Sequence, residues 1–441
     1  MPLKSCPIAF FLLCASFSLT PKGELHGAEL RGGVARIDIT PPLSMNCPLG
    51  GYGERMNKPA VGVHDRIFAK AVSLSDGNRK FTLVTADLLG FPPPFKPALV
   101  ERLKSDGVTL DSLILLPSHS HTSIEMNAFN SLNTYKIPQI GIHDPAILEF
   151  LLEKFSTLIR QAADKPVPVR IGSASEKISG WNRNRRHKEG YVDEDLTVCR
   201  IETLAGQPLA ALINFTAHPI MMSAEQMEFS GDWPGHLQRT VESLAGNDVV
   251  ALYFNGAEGD QTTIARPDSG DSRWERAELY GRDLGIVAFR IWEKTPTSVN
   301  VPFEFHRQEI ELPPNSWHPK FMETGGAEYG LTEEILREML PKIYPRRTAG
   351  VSLRVGDLLL IGIPGEMAAE LGRKIKQAAS KQTGAAHPVI GGLADEWDSY
   401  ILPAAEYRLG GYEASVSFYG ETLGDTIVKG AIEGVSHLTG K

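Results

Sequence analysis

Histidines and carboxylates in this sequence gather at the ends of apolar runs. Ser112–Leu116 passes into Pro117-Ser118-His119-Ser120-His121-Thr122, and Leu209–Phe215 passes into Thr216-Ala217-His218-Pro219. Val249–Phe254 leads to Asn255-Gly256-Ala257-Glu258-Gly259-Asp260, Asp357–Ile363 to Pro364-Gly365-Glu366, and Lys80–Ala86 to Asp87. Zn2+ takes imidazole nitrogen and carboxylate oxygen, so two histidines and a carboxylate brought together make a zinc set. In a strand-like segment His119 and His121 point to the same face, which lets both reach one region. Each histidine taken alone reads more readily as a hydrogen-bonded structural residue than as a ligand; three such strand tips together bring the two readings level. Other chemistries lack their residues. No G-x-S-x-G elbow, H-E-x-x-H, phosphate loop or dinucleotide fingerprint occurs, and no serine nucleophile can be placed.

These tips need elements to carry them. The five runs are nearly continuous in apolar residues, as expected for strands covered on both faces, and they alternate with helical patterns. The spacing predicts an α/β fold of mixed sheets flanked by helices, with ligands bound outside the carboxyl ends of the strands. Asp144 to Asp164 reads as a helix: Asp144 caps it, Pro145 suits its first position, and Ile147, Leu151, Phe155, Leu158 and Ala162 form a core-facing stripe. A second helix is expected from Asp232-Trp233-Pro234, and a third from Glu366, with Met367, Leu371 and Ile375 on one side. Leu312–Gly350, which contains the helical piece LTEEILREML, is an insertion or lid-like excursion, or more simply a surface loop. There is no internal repeat and no low-complexity linker.

The chain has 441 residues, a formal charge of −8 and a pI near 5.9, which disfavours a nucleic-acid partner. Lys4 precedes the apolar stretch Pro7–Leu19, which is too short to span a bilayer at ~20 residues and fits the middle of a signal peptide. Residues 1–28 are therefore expected to be a leader, and the protein secreted or periplasmic, although cleavage after Ala28 puts His26 where a small residue is preferred. The alternative is an apolar N-terminus that frays. Cys6 and Cys14 would leave with the leader, and Cys47 and Cys199 would form either one bridge or two buried thiols.

The order of motifs resembles the neutral ceramidase family, the neutral/alkaline non-lysosomal enzymes. The resemblance runs from Val34-Ala-Arg-Ile-Asp-Ile-Thr-Pro-Pro42 through Gly50-Gly-Tyr-Gly53 and Val63-His-Asp-Arg-Ile-Phe-Ala-Lys-Ala71. It continues through HSHT, NFTAHP, SGDWPG, NGAEGD and PGE toward the C-terminus. It implies zinc ligands at His119, His218, Glu366 and Tyr400, the tyrosine being placed by Trp397-Asp-Ser-Tyr400. It also implies active-site roles for Tyr412, in Tyr412-Glu413, and for an arginine of Asn182-Arg-Asn-Arg-Arg186, either Arg185 or Arg183. Read without the family, both tyrosines would be core packing. Where ceramide-cleaving members carry a Gly-Asp-Val-Ser-Pro-Asn run, this chain has Gly259-Asp-Gln-Thr-Thr-Ile264, so no serine role is carried over.

The resulting expectation is one catalytic domain, residues 29–441, without the C-terminal immunoglobulin-like domain of the long ceramidases. It is a zinc-dependent amidohydrolase acting on ceramide, on a related N-acyl lipid or on another small amide, with peripheral contact to a membrane surface. Arg185 and Tyr412 would stabilise the oxyanion, and His121 would pass a proton to the leaving amine. Asp87 and Asp260 would orient the ligands or cap strand ends. Other expectations are a hydrolase of this fold acting on another ester or amide, and an exported binding protein without turnover.

Overall fold

Leu83 and Val84 are neighbours in one strand yet belong to different cores, as do Ile114 and Leu115, Leu252 and Tyr253, and Leu360 and Ile361. Successive side chains in a strand face opposite ways, so a continuous apolar run implies cover on both sides. That is the arrangement found in the computed structural model, which describes Met1 and residues 29–246, 248–264 and 270–438. Apart from Met1, the expected leader lies outside the described residues.

Two sheets stack between helices. The larger has eight strands in the order Val250–Asn255, Pro208–Phe215, Asp195–Thr203, Val167–Lys177, Arg31–Asp38, Phe68–Ser75, Lys80–Ala86 and Leu113–Pro117. The smaller orders Phe303–Glu311, Arg347–Val355, Leu358–Gly362 and His387–Gly391. Both mix parallel and antiparallel pairs. Leu74, Leu83, Ile114, Leu212 and Leu252 of the first meet Val351, Leu353, Leu360 and Val389 of the second in the central core. The helix Pro145–Asp164 and the pair Asp232–Ala245 and Arg273–Lys294 cover the outer face of the large sheet. Ala369–Thr383 and Leu423–Ser436 cover that of the small one. The paired helices approach closely at Gly281, where a Cβ would stand 2.2 Å from the Trp233 carbonyl oxygen.

The large sheet curls, so that Val250–Asn255 at one edge lies beside Lys80–Ala86 and Leu113–Pro117 at the other. This closure brings the tips after Pro117, Phe215 and Asn255 to one place, and it positions the site.

The five expected strands occur within a residue or two of their expected bounds, and Asp144 caps the Pro145–Asp164 helix by accepting from the Ala146 amide at 2.8 Å. The third expected helix begins later, at Ala369. Glu366-Met367 is instead a short strand paired with Tyr400-Ile401, and Asp260 Oδ1 accepts from the Ala369 amide at the helix start. Leu312–Gly350 is not a surface loop: Glu333–Ile343 is a helix that buries Leu336, Met339, Leu340 and Ile343 against Tyr400 and Phe418. Cys47 and Cys199 are buried free thiols in different cores. Among the described residues, no helix is long and apolar enough to cross a membrane.

Candidate metal centre

His119 does not sit in a strand. The strand stops at Pro117, and His119 adopts φ +71°, a left-handed conformation rare for a residue with a Cβ. Its amide donates to the Leu88 carbonyl (2.9 Å), and its Nδ1 faces the Leu89 carbonyl at 2.6 Å. A ring nitrogen against a carbonyl must carry the proton, so His119 Nε2 keeps its lone pair. His218 is fixed the same way: its Nδ1 lies 2.7 Å from the Glu258 carbonyl and 3.0 Å from that of Gln261. Both Nε2 atoms turn to one carboxylate oxygen, Glu366 Oε2, at 3.4 Å for His119 and 2.9 Å for His218. The other oxygen of Glu366 accepts from the Trp397 indole at 2.8 Å.

The turn brings His121 in as well, by a route other than strand alternation. Its Nε2 lies 3.3 Å from His119 Nε2, and its ring packs edge-on to Tyr52. The Nε2 side of this cluster is where lone pairs converge: the ligand atoms of His119, His121 and His218 lie within 4.8 Å of one another, as do those of His119, Glu258 and Glu366. Converging lone pairs and buried carboxylates repel unless a cation stands among them, so the donor set fits a divalent metal of the zinc type. Burial, reinforced by the charge of Arg185, lowers the His218 pKa to about 4. The imidazole is thus neutral and free to bind metal at pH 7.

Tyr400 stands opposite Glu366 because their short strands pair in that register. Its hydroxyl is hydrogen-bonded to Glu366 and accepts from Arg185 Nη2 at 3.1 Å. Burial and the neighbouring Glu366 push the phenol pKa well above its usual value, against the pull of Arg185. Arg185 is itself clamped by Glu413 (2.8 Å) and the Gly259 carbonyl (2.9 Å), and its amide donates to Asp260 (2.7 Å). Arg183, two residues away, is exposed. Arg185 therefore stands behind Tyr400 and outside the pocket wall. Asp87 accepts from the Phe68 amide and from Gln238, tying strands and helix together without touching a histidine of the cluster. Asp260 binds Asn184, Gln261 and the Ala369 amide.

His119, His121, Glu366, Tyr400 and Tyr412 line one pocket, open at its mouth. Leu89, Met126, Leu331, Met339, Ile343 and Phe418 make most of it apolar. Tyr412 packs its ring edge against Tyr400 and shares a hydrogen bond with Tyr329, their hydroxyls 2.7 Å apart. Sequence reasoning did not single out Glu258, Trp397 or Tyr329. Glu258 was visible as an acid among glycines at a strand tip, whereas nothing local marks Tyr329.

Residues 31–267 and 337–428 match the N-terminal part of the neutral/alkaline non-lysosomal ceramidases. Neutral ceramidase of Pseudomonas aeruginosa is 21% identical over 95% of this chain and 73% of its own length. That of Mycobacterium tuberculosis is 23% identical over 87% and 73%. Among solved structures, neutral ceramidase from P. aeruginosa superposes with a TM-score of 0.77 at 18% identity, covering 93% of this chain and 75% of that one. A ceramidase complexed with C2 gives 0.76 at the same identity and coverage. These likenesses bear out the α/β fold of mixed sheets and helices.

Proposed function

The chain belongs to the neutral/alkaline non-lysosomal ceramidase family, and from that membership we propose a zinc-dependent amidohydrolase that cleaves the N-acyl bond of ceramide or a closely related N-acyl lipid. The observation that carries this reading is the pair of imidazoles, each locked through Nδ1, turned on Glu366 where it lines an apolar pocket.

His119, His218, Glu366 and Tyr400 would hold the zinc. When bound, the metal supplies Lewis acidity, polarising a carbonyl and bringing the pKa of water toward ~7. The Leu89, Glu258 and Gln261 carbonyls keep the two histidines in the ligating tautomer. Arg185 holds the Tyr400 oxygen toward Glu366, a positioning role in place of the direct oxyanion contact expected from the sequence. Tyr412, its phenol pKa raised by burial, stays protonated and donates to the oxygen that gains charge. His121, which has no carbonyl on its buried Nδ1, is the group free to carry a proton to the leaving amine. The apolar wall takes acyl chain and excludes water.

Residues 29–441 would form one catalytic domain, exported after loss of residues 1–28, that meets its lipid at a membrane surface. A second reading, hydrolysis of another small amide or ester, is favoured by the polar group Glu125, Asn127 and Gln139 on the pocket wall. Release of sphingosine from short- and long-chain ceramides, measured beside simple amides and esters, tests both. No sphingosine, with turnover of another substrate, would replace the first reading by the second.

A further inference from the structure

Glu258 is wholly buried, and neither of its carboxylate oxygens meets a hydrogen-bond partner. Buried carboxylates are paired with a cation, hydrogen-bonded or coordinated to a metal, because an isolated charge in a low dielectric is strongly unfavourable. The carboxylate of Glu258 is not lost in the apolar core. Its ligand atom lies with those of His119 and Glu366, all within 4.8 Å of one another.

The backbone is arranged for this. The Glu258 carbonyl is the acceptor that fixes His218 Nδ1 at 2.7 Å, so the residue serves one histidine with its main chain while its side chain faces the other. Gly392 makes the room: a Cβ there would stand 2.4 Å from Glu258 Oε2 and 2.2 Å from the Gly256 carbonyl. Arg185, the nearby cation, donates through Nε to Glu413 and through Nη2 to Tyr400 and Gly259, and not to Glu258. Two buried carboxylates, Glu258 and Glu366, thus share a site in which only Glu366 has partners.

We propose that Glu258 is a metal-binding residue, supplying a carboxylate oxygen to the divalent cation beside His119, His218 and Glu366. The inference rests on the metal centre proposed above and adds to it a donor taken from the strand tip after Asn255. Two carboxylates with two imidazoles also match the charge of a divalent ion within the site, and they shift the donor set toward oxygen.

The test uses the full chain and three variants: Glu258→Gln, which keeps shape and removes charge, Glu258→Asp, which keeps charge and shortens reach, and His218→Ala. Metal per chain is measured by elemental analysis, zinc affinity by competition with a chromophoric chelator, and the ligand field by the visible spectrum of the Co2+-loaded protein. Glu258→Gln is expected to bind zinc about tenfold or more weakly and to change the Co2+ spectrum. Unchanged affinity and spectrum in Glu258→Gln, with zinc lost from His218→Ala, would overturn the role of Glu258 and leave the centre standing. Zinc retained by His218→Ala would overturn the centre itself. If Glu258→Gln does not fold, Glu258→Asp decides: an unaltered Co2+ spectrum rejects the proposal, and an altered one supports it.

Discussion

The hydroxyls of Tyr329 and Tyr412 lie 2.7 Å apart, joining two segments of the chain at the pocket. Tyr412 opens the short helix Tyr412–Ser415, inside the block that matches the family. Tyr329 closes the helix Gly325–Tyr329, in residues 268–336, outside the match. The excursion expected to be a surface loop therefore reaches the proposed oxyanion donor. Replacing Tyr329 with Phe removes the hydroxyl that orients Tyr412 and leaves the donor itself in place. Zinc content should be unchanged and kcat lowered several-fold, with little effect on KM. An unchanged kcat would show that the contact only packs the loop.

Tyr400 and Tyr412 are expected to separate under the same substitution. Tyr400→Phe should weaken zinc retention, because its oxygen stands beside Glu366 and Arg185. Tyr412→Phe should hold zinc and lose turnover by ~100-fold, the usual loss for one oxyanion donor. Elemental analysis with steady-state rates checks both, and equal zinc with equal activity would return both rings to packing.

Why the tyrosines escaped a reading of the residues alone is physical. The strands were legible because each is covered on both faces, as Leu83 and Val84 show by facing different cores. Asp144 was legible because capping is local. The position of Tyr400 depends on a two-residue strand pairing with Glu366, and that of His119 on a left-handed turn after Pro117. Neither leaves a period in the sequence. Glu258 and His119 come together only because the large sheet curls edge to edge, a relation between residues far apart in the chain. The resemblance to a family supplied Tyr400 and Tyr412, but it had no motif for Tyr329.

Removing either partner of the Lys96–Asp395 pair should unfold the protein readily. Both are buried, their charged atoms are 2.7 Å apart, and Asp395 also accepts from the Leu115 amide in the strand that leads to His119. Breaking such a pair from one side typically costs about 3–5 kcal/mol, because the other charge stays buried and unpaired. Lys96→Met and Asp395→Asn should each lower the denaturation midpoint. The double variant should recover part of the loss.

Acid stability should depend on Asp65. Burial alone would raise its pKa, but His64, Arg239 and Ser230 outweigh burial and hold it at about 2. The folded value lies below the unfolded one of ~3.9, so the stabilisation is present above about pH 4 and is lost as pH falls toward 2. At pH 7 it amounts to about 2–3 kcal/mol. Asp65→Asn should therefore be less stable than the parent at pH 7, and the gap should close between about pH 4 and pH 2. A gap independent of pH would assign the loss to packing.

The pocket wall makes a prediction about chain length. Met339, on the helix Glu333–Ile343, is buried and lines the same cavity as His119 and Tyr412. An indole in its place fills space that an acyl chain would occupy and replaces none of the proposed metal ligands. Overpacking of this kind costs ~1–3 kcal/mol of stability, which a well-folded domain survives. Met339→Trp should keep its zinc and hydrolyse short-chain N-acyl substrates at near the parental kcat. For long-chain substrates kcat/KM should fall by about tenfold or more, equivalent to the apolar contact of roughly two methylene groups at ~0.8 kcal/mol each. If long and short chains lose activity in parallel, the acyl group does not lie against this helix. The apolar wall would then serve only to keep water from the metal.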